Sequence, residues 1–126
     1  MALKRVVVTG IGTLTPIGNN LNDYWNNLLA GVSGAAPITL FDASKFKTRF
    51  ACEIKGFDPT EFMDRKEARK LDRFAQIALV ASDQAVADAG ITKDNVDPDR
   101  VGVIFASGIG GLVTFQEEVL NFAAGD

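Results

Sequence analysis

The chain has 126 residues, 47% hydrophobic and 23% charged, a size and composition that fit one globular domain and exclude a disordered segment or a disulfide scaffold. Its net charge of -3 argues against a general nucleic-acid binder, and no apolar run approaches the ~20 residues of a membrane span or the pattern of a signal peptide. With no histidine and one cysteine, Cys52, these residues contain no Ser-His or Cys-His catalytic pair, no His-ligated metal, no thiolate zinc cluster and no internal disulfide, and the lone thiol fits a reducing cytoplasm.

Taken in chain order, Arg5-Val6-Val7-Val8-Thr9-Gly10 predicts a strand buried on both faces, as in a parallel sheet. A glycine-rich loop, Gly10 to Gly18, follows it. Asn19 or Asn20 is then placed to cap a helix whose apolar face holds Leu21, Trp25, Leu28, Leu29 and Val32, with Gly31 and Gly34 at its end. Phe50, Cys52 and Ile54 alternate with Ala51 and Glu53, which predicts a half-buried strand in which Cys52 is a small buried apolar residue. Phe57-Asp58-Pro59-Thr60 reads as a turn with Asp58 or Thr60 as cap, and a short helical piece carries Arg65 to Lys70. The clearest helix spans about Leu71 to Ala89, with Phe74, Ile77, Ala78, Ala81, Ala85 and Ala89 on a thin face suited to close packing, and Gly90 at C′. A polar connector, Ile91 to Arg100, leads to a strand over Val101 to Ala106. Then come the turn Ser107-Gly108-Ile109-Gly110-Gly111 and a helix from Leu112 with Phe115, Val119 and Phe122 on one side. Alternation of strand and helix predicts an α/β protein with a mostly parallel sheet and right-handed crossovers.

Three features bear on function. Gly10-Ile11-Gly12 follows a predicted strand, but Thr15 stands at the last glycine position of the dinucleotide fingerprint. Gly108-Ile109-Gly110-Gly111 has Val113 there and lacks the Gly-Lys-Ser/Thr ending of a phosphate loop. Both turns read as tight backbone packing, with a nicotinamide oxidoreductase as the alternative. Charge is uneven: Arg65, Lys66, Arg69, Lys70 and Arg73 face only Glu67 and Asp72, so this segment is net positive within a negative chain. On one helix, residues 65, 69 and 73 align, as do 66 and 70, which makes a basic stripe. It is either a solvated face with local pairs such as Glu67 with Lys70, or a dock for a small acidic partner that must bind and leave.

Arg5-Val6-Val7-Val8-Thr9-Gly10 with Thr15-Pro16-Ile17-Gly18-Asn19, Trp25 with Leu28-Leu29-Ala30-Gly31, Phe41-Asp42, Arg65-Lys66-Glu67 with Arg69-Lys70, and Ser107 to Gly111 together resemble the amino-terminal part of the β-ketoacyl-acyl-carrier-protein synthases, most closely the type II elongating enzymes of bacterial fatty-acid synthesis. The resemblance runs through essentially the whole chain in order. It implies a thiolase-like αβαβα sandwich, usually homodimeric and cytoplasmic, of which residues 1–126 are an incomplete amino-terminal β-ketoacyl synthase domain. It also implies condensation of a cysteine-bound acyl group with malonyl carrier protein, supported by two histidines. No cofactor is implied beyond the phosphopantetheine that arrives on the acyl carrier protein. The family's cysteine and histidines match no position here, so no catalytic residue is assigned and these residues alone are expected to be inactive. Lys66, Arg69 and Lys70, with Arg65 added, match positions that contact acyl carrier protein. Gly108, Ile109 and Gly110 match the turn beside the acyl pocket, where Ile109 gates depth near the dimer interface. A non-catalytic chain-length subunit of a polyketide system is the other reading that the resemblance leaves open.

Overall fold

The structure is a computed structural model that describes residues 3–125. The chain divides into two compact units. One is built from the chain up to Phe57 together with Asp83–Ile91, the other from Asp58–Ser82 together with the chain from Thr92 onward.

In the first unit, helix α1 spans Leu21–Leu29. Asn20 caps it reciprocally: its Oδ1 accepts the Asp23 N–H at 2.9 Å while its Nδ2 donates to the Asp23 carboxylate at 2.7 Å, and a cap of this kind contributes about 1 kcal/mol. Before the helix, Thr15 and Gly18 exchange backbone hydrogen bonds at 2.9 and 3.2 Å around Pro16 and Ile17. The Asn27 side chain donates to the Ile17 carbonyl at 2.6 Å and fastens that turn to α1. Leu21, Tyr24 and Asn27 are half-buried, whereas Trp25, Leu28, Leu29 and Val32 are exposed. The inward face is thus rotated from the expected apolar one, because the turn it covers asks for a hydrogen-bond donor.

Strands β1 (Ala36–Pro37) and β2 (Phe50–Ala51) form an antiparallel pair, with Ala36 opposite Ala51 and Pro37 opposite Phe50. The segment between them holds Ala43 buried and packs Phe41 edge-on against Phe46 at 5.6 Å. The expected strand through Ile54 is therefore shorter, and its phase is opposite. Phe50 and Cys52 are exposed, while Ala51 and Glu53 are half-buried. The cause is Glu53, whose carboxylate accepts the Thr39 hydroxyl at 2.7 Å and the Thr39 and Leu40 amides at 3.1 and 3.3 Å. A residue with three donors to satisfy takes the inner side, and Cys52 is turned out.

The longest helix, α3 (Arg73–Asp88), gives its first ten residues to the second unit and its last six to the first. Its carboxyl end organises the glycine-rich loop. Asp88 accepts the Ile11 N–H at 2.9 Å, and Gln84 accepts the Thr13 N–H at 3.0 Å while donating to the Asn19 carbonyl at 2.8 Å. A Cβ at Gly10 would lie 2.7 Å from the Ala89 Cβ and closer still to the Ala85 carbonyl and the Ala89 nitrogen. Gly10 is glycine because a helix backbone lies against it. Gly90 ends the helix region at φ 62°, the left-handed conformation expected at C′.

In the second unit, Asp58 caps a single 3-10 turn, Pro59–Glu61, and Asp64 caps the four-residue helix α2, Arg65–Ala68. Helix α4 (Leu112–Ala124) starts after the glycine turn and ends at Gly125. The buried side chains of this unit are Ala68, Ala78 and Val80, with Val80 only 1% exposed. The α3 face expected from the alanine spacing is half-buried at Phe74, Ile77 and Ala81; Val80, the most deeply buried residue of the helix, lies outside that expectation.

Two further expectations fail. The runs 5–10 and 101–106 form no strand, and the sheet among the described residues is the two-stranded antiparallel one, not a parallel one. β-branched sequence states a preference for burial on both faces, but a strand exists only when another segment completes its ladder. No such segment pairs with these runs among the described residues, and Val6 and Ile104 are 89% and 98% exposed. The helix expected from Leu71 begins at Arg73, because Leu71 and Asp72 belong to the turn that follows α2.

Gly10→Ala should destabilise the protein by about 1–3 kcal/mol, the range for overpacking against a backbone that has no room to yield, as read from denaturant unfolding. The second prediction concerns pH. Hydrogen bonding, led by the Thr39 hydroxyl, holds the Glu53 carboxyl below its ordinary 4.5. A carboxyl depressed in the folded state stabilises above its unfolded pKa, and that contribution disappears as pH falls through the lower folded value. Exchange protection of the Thr39 and Leu40 amides should accordingly persist at neutral pH and be lost in acid, and Glu53→Gln should abolish the acid dependence.

Candidate functional site

The basic segment and the glycine turn both belong to the second unit. Asp64 Oδ1 accepts the Lys66 N–H at 2.7 Å, which starts α2. The helix closes almost at once: Arg69 N–H bonds the Arg65 carbonyl at 3.3 Å, and the Lys70 and Leu71 amides turn back to Glu67 and Ala68 at 2.9 and 3.3 Å. Arg65, Lys66, Arg69 and Lys70 are all exposed while Ala68 between them is buried. Ala68 roots the segment and leaves the cations in water. The expected stripe through residues 65, 69 and 73 is not on one helix, since Arg69 is the cap residue of α2 and Arg73 is the first residue of α3. Four residues close too few turns to carry an alignment of three.

Arg73 is in a different situation. Partial desolvation lowers its guanidinium from the ordinary value, and the Asp58 carboxylate opposes the shift. Asp58 in turn is held below its ordinary 3.8, first by the Thr60 hydroxyl and then by the Thr60 amide, with smaller help from Arg73 and Arg65. Arg73 is exposed like the other four cations, but it stands on α3 and not on the α2 segment.

Two side chains absent from the sequence-predicted site, Gln76 and Asp72, join the basic segment to α3 and to the glycine turn. Gln76 donates to the Ala68 carbonyl at 2.8 Å and to the Leu71 carbonyl at 3.2 Å, pinning the end of α2 to α3. Asp72, half-buried, accepts a hydrogen bond from the Thr114 hydroxyl. Its carboxylate also fills the space a side chain at Gly111 would need. The apolar spacing gives no signal for Gln76, which falls on the side of α3 opposite Phe74, Ala81 and Ala85. Asp72 carries none, because its partner is 42 residues away.

The turn at residues 107–111 is thus held at one end and free at the other. Gly111 lies against Asp72, whereas a Cβ at Gly108 would meet nothing. Gly110 has φ 82°. Ile109 is 80% exposed. A cavity of about 280 Å³ opens beside the turn, lined by Asp72, Phe74, Ile77, Gly110, Leu112 and Val113 among others. Gly110 borders it; Gly108 and Ile109 do not. In the first unit a second cavity of about 380 Å³ is bordered by Thr15, Asn19, Asp23, Asn27, Ser33 and Lys55. Among the described residues no group of His, Cys, Asp and Glu is arranged to hold a metal, and no helix is long and apolar enough to cross a membrane.

Comparison with known proteins places this arrangement. Residues 3–124 match the family described as beta-ketoacyl synthase, N-terminal domain, and the chain belongs to that family. It is 50% identical over 115 residues to the 3-oxoacyl-[acyl-carrier-protein] synthase 2 of Synechocystis sp. (strain ATCC 27184 / PCC 6803 / Kazusa), an alignment that covers 91% of this chain and 28% of that protein. Among solved structures it resembles the ishigamide ketosynthase/chain length factor, with TM-score 0.84 and 34% identity over 99% of this chain and 31% of the other. It also resembles a type II PKS acyl-carrier protein in complex with its ketosynthase bound to the hexaketide, with TM-score 0.57 and 29% identity over 79% of this chain and 25% of the other. The fold class is therefore the thiolase-like α/β sandwich, of which this chain is the amino-terminal part of the first half. The chain spans little more than a quarter of the length of the curated relative it matches.

Proposed function

We propose that the protein carrying this chain is a β-ketoacyl-acyl-carrier-protein synthase that elongates fatty acyl chains, and that residues 1–126 are its amino-terminal part. In the reaction, a cysteine thiolate takes an acyl group from a carrier thioester and the carrier's phosphopantetheine thiol leaves. Malonyl carrier protein loses carbon dioxide to give a carbanion, which attacks the acyl-cysteine carbonyl. A carbon–carbon bond forms and the cysteine thiolate departs. The likeness to the Synechocystis 3-oxoacyl-[acyl-carrier-protein] synthase 2 carries this reading. The chain has no histidine, so the two histidines of the proposed chemistry come from outside it, and phosphopantetheine on the carrier is the only prosthetic group required. A cytoplasmic homodimer is the assembly that goes with this reading.

The role of this chain is to receive and to measure. Arg65, Lys66, Arg69 and Lys70 stand exposed on one short capped segment, a suitable dock for an acidic carrier helix. Exposed pairs contribute only ~0.2–1 kcal/mol each, so four of them steer and hold a carrier that must leave after each transfer. Gly108, Ile109 and Gly110 form the turn that limits the acyl chain, with Ile109 as its bulky side chain.

A second reading follows from the likeness to a ketosynthase/chain length factor: a non-catalytic chain-length subunit. Incubation of the whole protein with acyl carrier protein loaded with an acyl thioester, followed by mass spectrometry, separates the two. Acylation of a cysteine supports the synthase, and its absence with intact folding supports the subunit.

Two predictions test the roles of this chain. Reversing Lys66 and Lys70 to Glu should weaken carrier binding about tenfold at low salt and flatten its dependence on ionic strength, as measured by titration calorimetry. Unchanged affinity at low salt would remove the dock. Ile109→Phe should shorten the longest acyl chain accepted, and an unaltered product profile would take Ile109 out of the pocket.

A further inference from the structure

Asp72 lies two residues beyond Lys70 and immediately before α3. Its backbone carbonyl accepts the Gln76 amide at 3.0 Å, so its main chain is fixed by the first turn of α3. The same Gln76 side chain fixes the carbonyls of Ala68 and Leu71. On the other side, the Asp72 carboxylate takes the Thr114 hydroxyl and fills the space beside Gly111. Asp72 thus bonds both to the start of α3, which holds the basic segment, and to the segment that begins α4. The anchored end of the glycine turn is the end nearest Asp72, while Gly108 and Ile109 project away without packing.

We infer that Asp72 is a positioning residue for acyl-chain length: it holds the Gly108–Gly111 turn at a set place relative to the Lys66–Lys70 segment. The inference rests on the reading of Ile109 as the residue that limits the acyl chain. During transfer to the cysteine the acyl chain enters while still on the docked carrier, so the place of the turn bounds the length that can enter, and Asp72 sets that place. Release of the carboxylate frees the turn at its one anchored end, so Ile109 no longer marks a single depth. Glycine at 111 belongs to the same device. A methyl group there would meet the Cγ and both carboxylate oxygens of Asp72, displacing the carboxylate and breaking the bond to Thr114.

The test uses the whole synthase with acyl carrier proteins loaded with a short-to-long acyl series, and reads the ratio of kcat/KM for the longest good substrate to that for the next longer, poor one. Asp72→Ala, Thr114→Val and Gly111→Ala should each flatten that ratio about tenfold, the worth of a hydrogen bond to a charged group. Asp72→Asn, which keeps an acceptor for Thr114, should restore it. Gly111→Ala added to Asp72→Ala should have little further effect, because the displaced carboxylate is already gone. Thr114→Val is the mildest change and serves if Asp72→Ala does not fold. A flat response of the ratio to Thr114→Val and Gly111→Ala overturns the inference when Ile109→Phe shortens the profile in the same assay. If Ile109→Phe also leaves the profile unchanged, it is the reading of the turn that fails, and the inference falls with it.

Discussion

The constraint on which the rest of this structure depends is the need of loop backbone for hydrogen-bond partners where no sheet supplies them. A buried or half-buried amide left unpaired costs about 1–3 kcal/mol. Here the partners are side chains of α3. Gln84 and Asp88 satisfy the amides and carbonyls of the loop between Gly10 and Asn19, while Gln76 serves the turn after α2. A carboxamide is suited to this work because it donates and accepts at once. The close approach at Gly10 has the same origin, since a loop bonded to a helix side chain must lie near the helix. Packing explains one glycine in each turn, Gly10 against Ala85 and Ala89 and Gly111 against Asp72.

The same economy shapes the basic segment. Its cations are not spread along a long helix but presented by one capped turn, with Ala68 as the buried root and Asp64 as the cap. A helix this short has no independent stability; its last carbonyl, that of Ala68, is captured by Gln76. The cations gain a fixed backbone while keeping mobile, hydrated side chains. That combination favours fast encounter and fast release over tight binding. Arg73 stands apart from them at the start of α3, near Asp58.

Much of this is legible in the sequence, and the reasons differ by element. The helices are, because Asn20, Gly31, Gly90 and the three- and four-residue spacings are local signals. The start of α3 is two residues later than its spacing suggests because Leu71 continues the apolar pattern although its backbone belongs to a turn. Strand partners are not legible: Val6-Val7-Val8 and Val101 to Ala106 announce burial but not what buries them. The phase of β2 is the reverse of its hydrophobic alternation because three donors around Glu53 outweigh the apolar side chains beside it. At the candidate site, the residue types of the basic segment and of the turn are readable by family resemblance, but the bond from Asp72 to Thr114 is not, since no local pattern reports a contact across so long a separation.

The two apolar runs that lack a ladder also impose an order on assembly. The short elements close over short loops: α1 on its own cap, β1 with β2 across a dozen residues, α2 on the turn beside it. Loop-closure entropy makes such contacts early, and pairings across long separations late. Residues 5–10 and 101–106 have no partner across such a short loop, so any ladder they enter closes over a long separation.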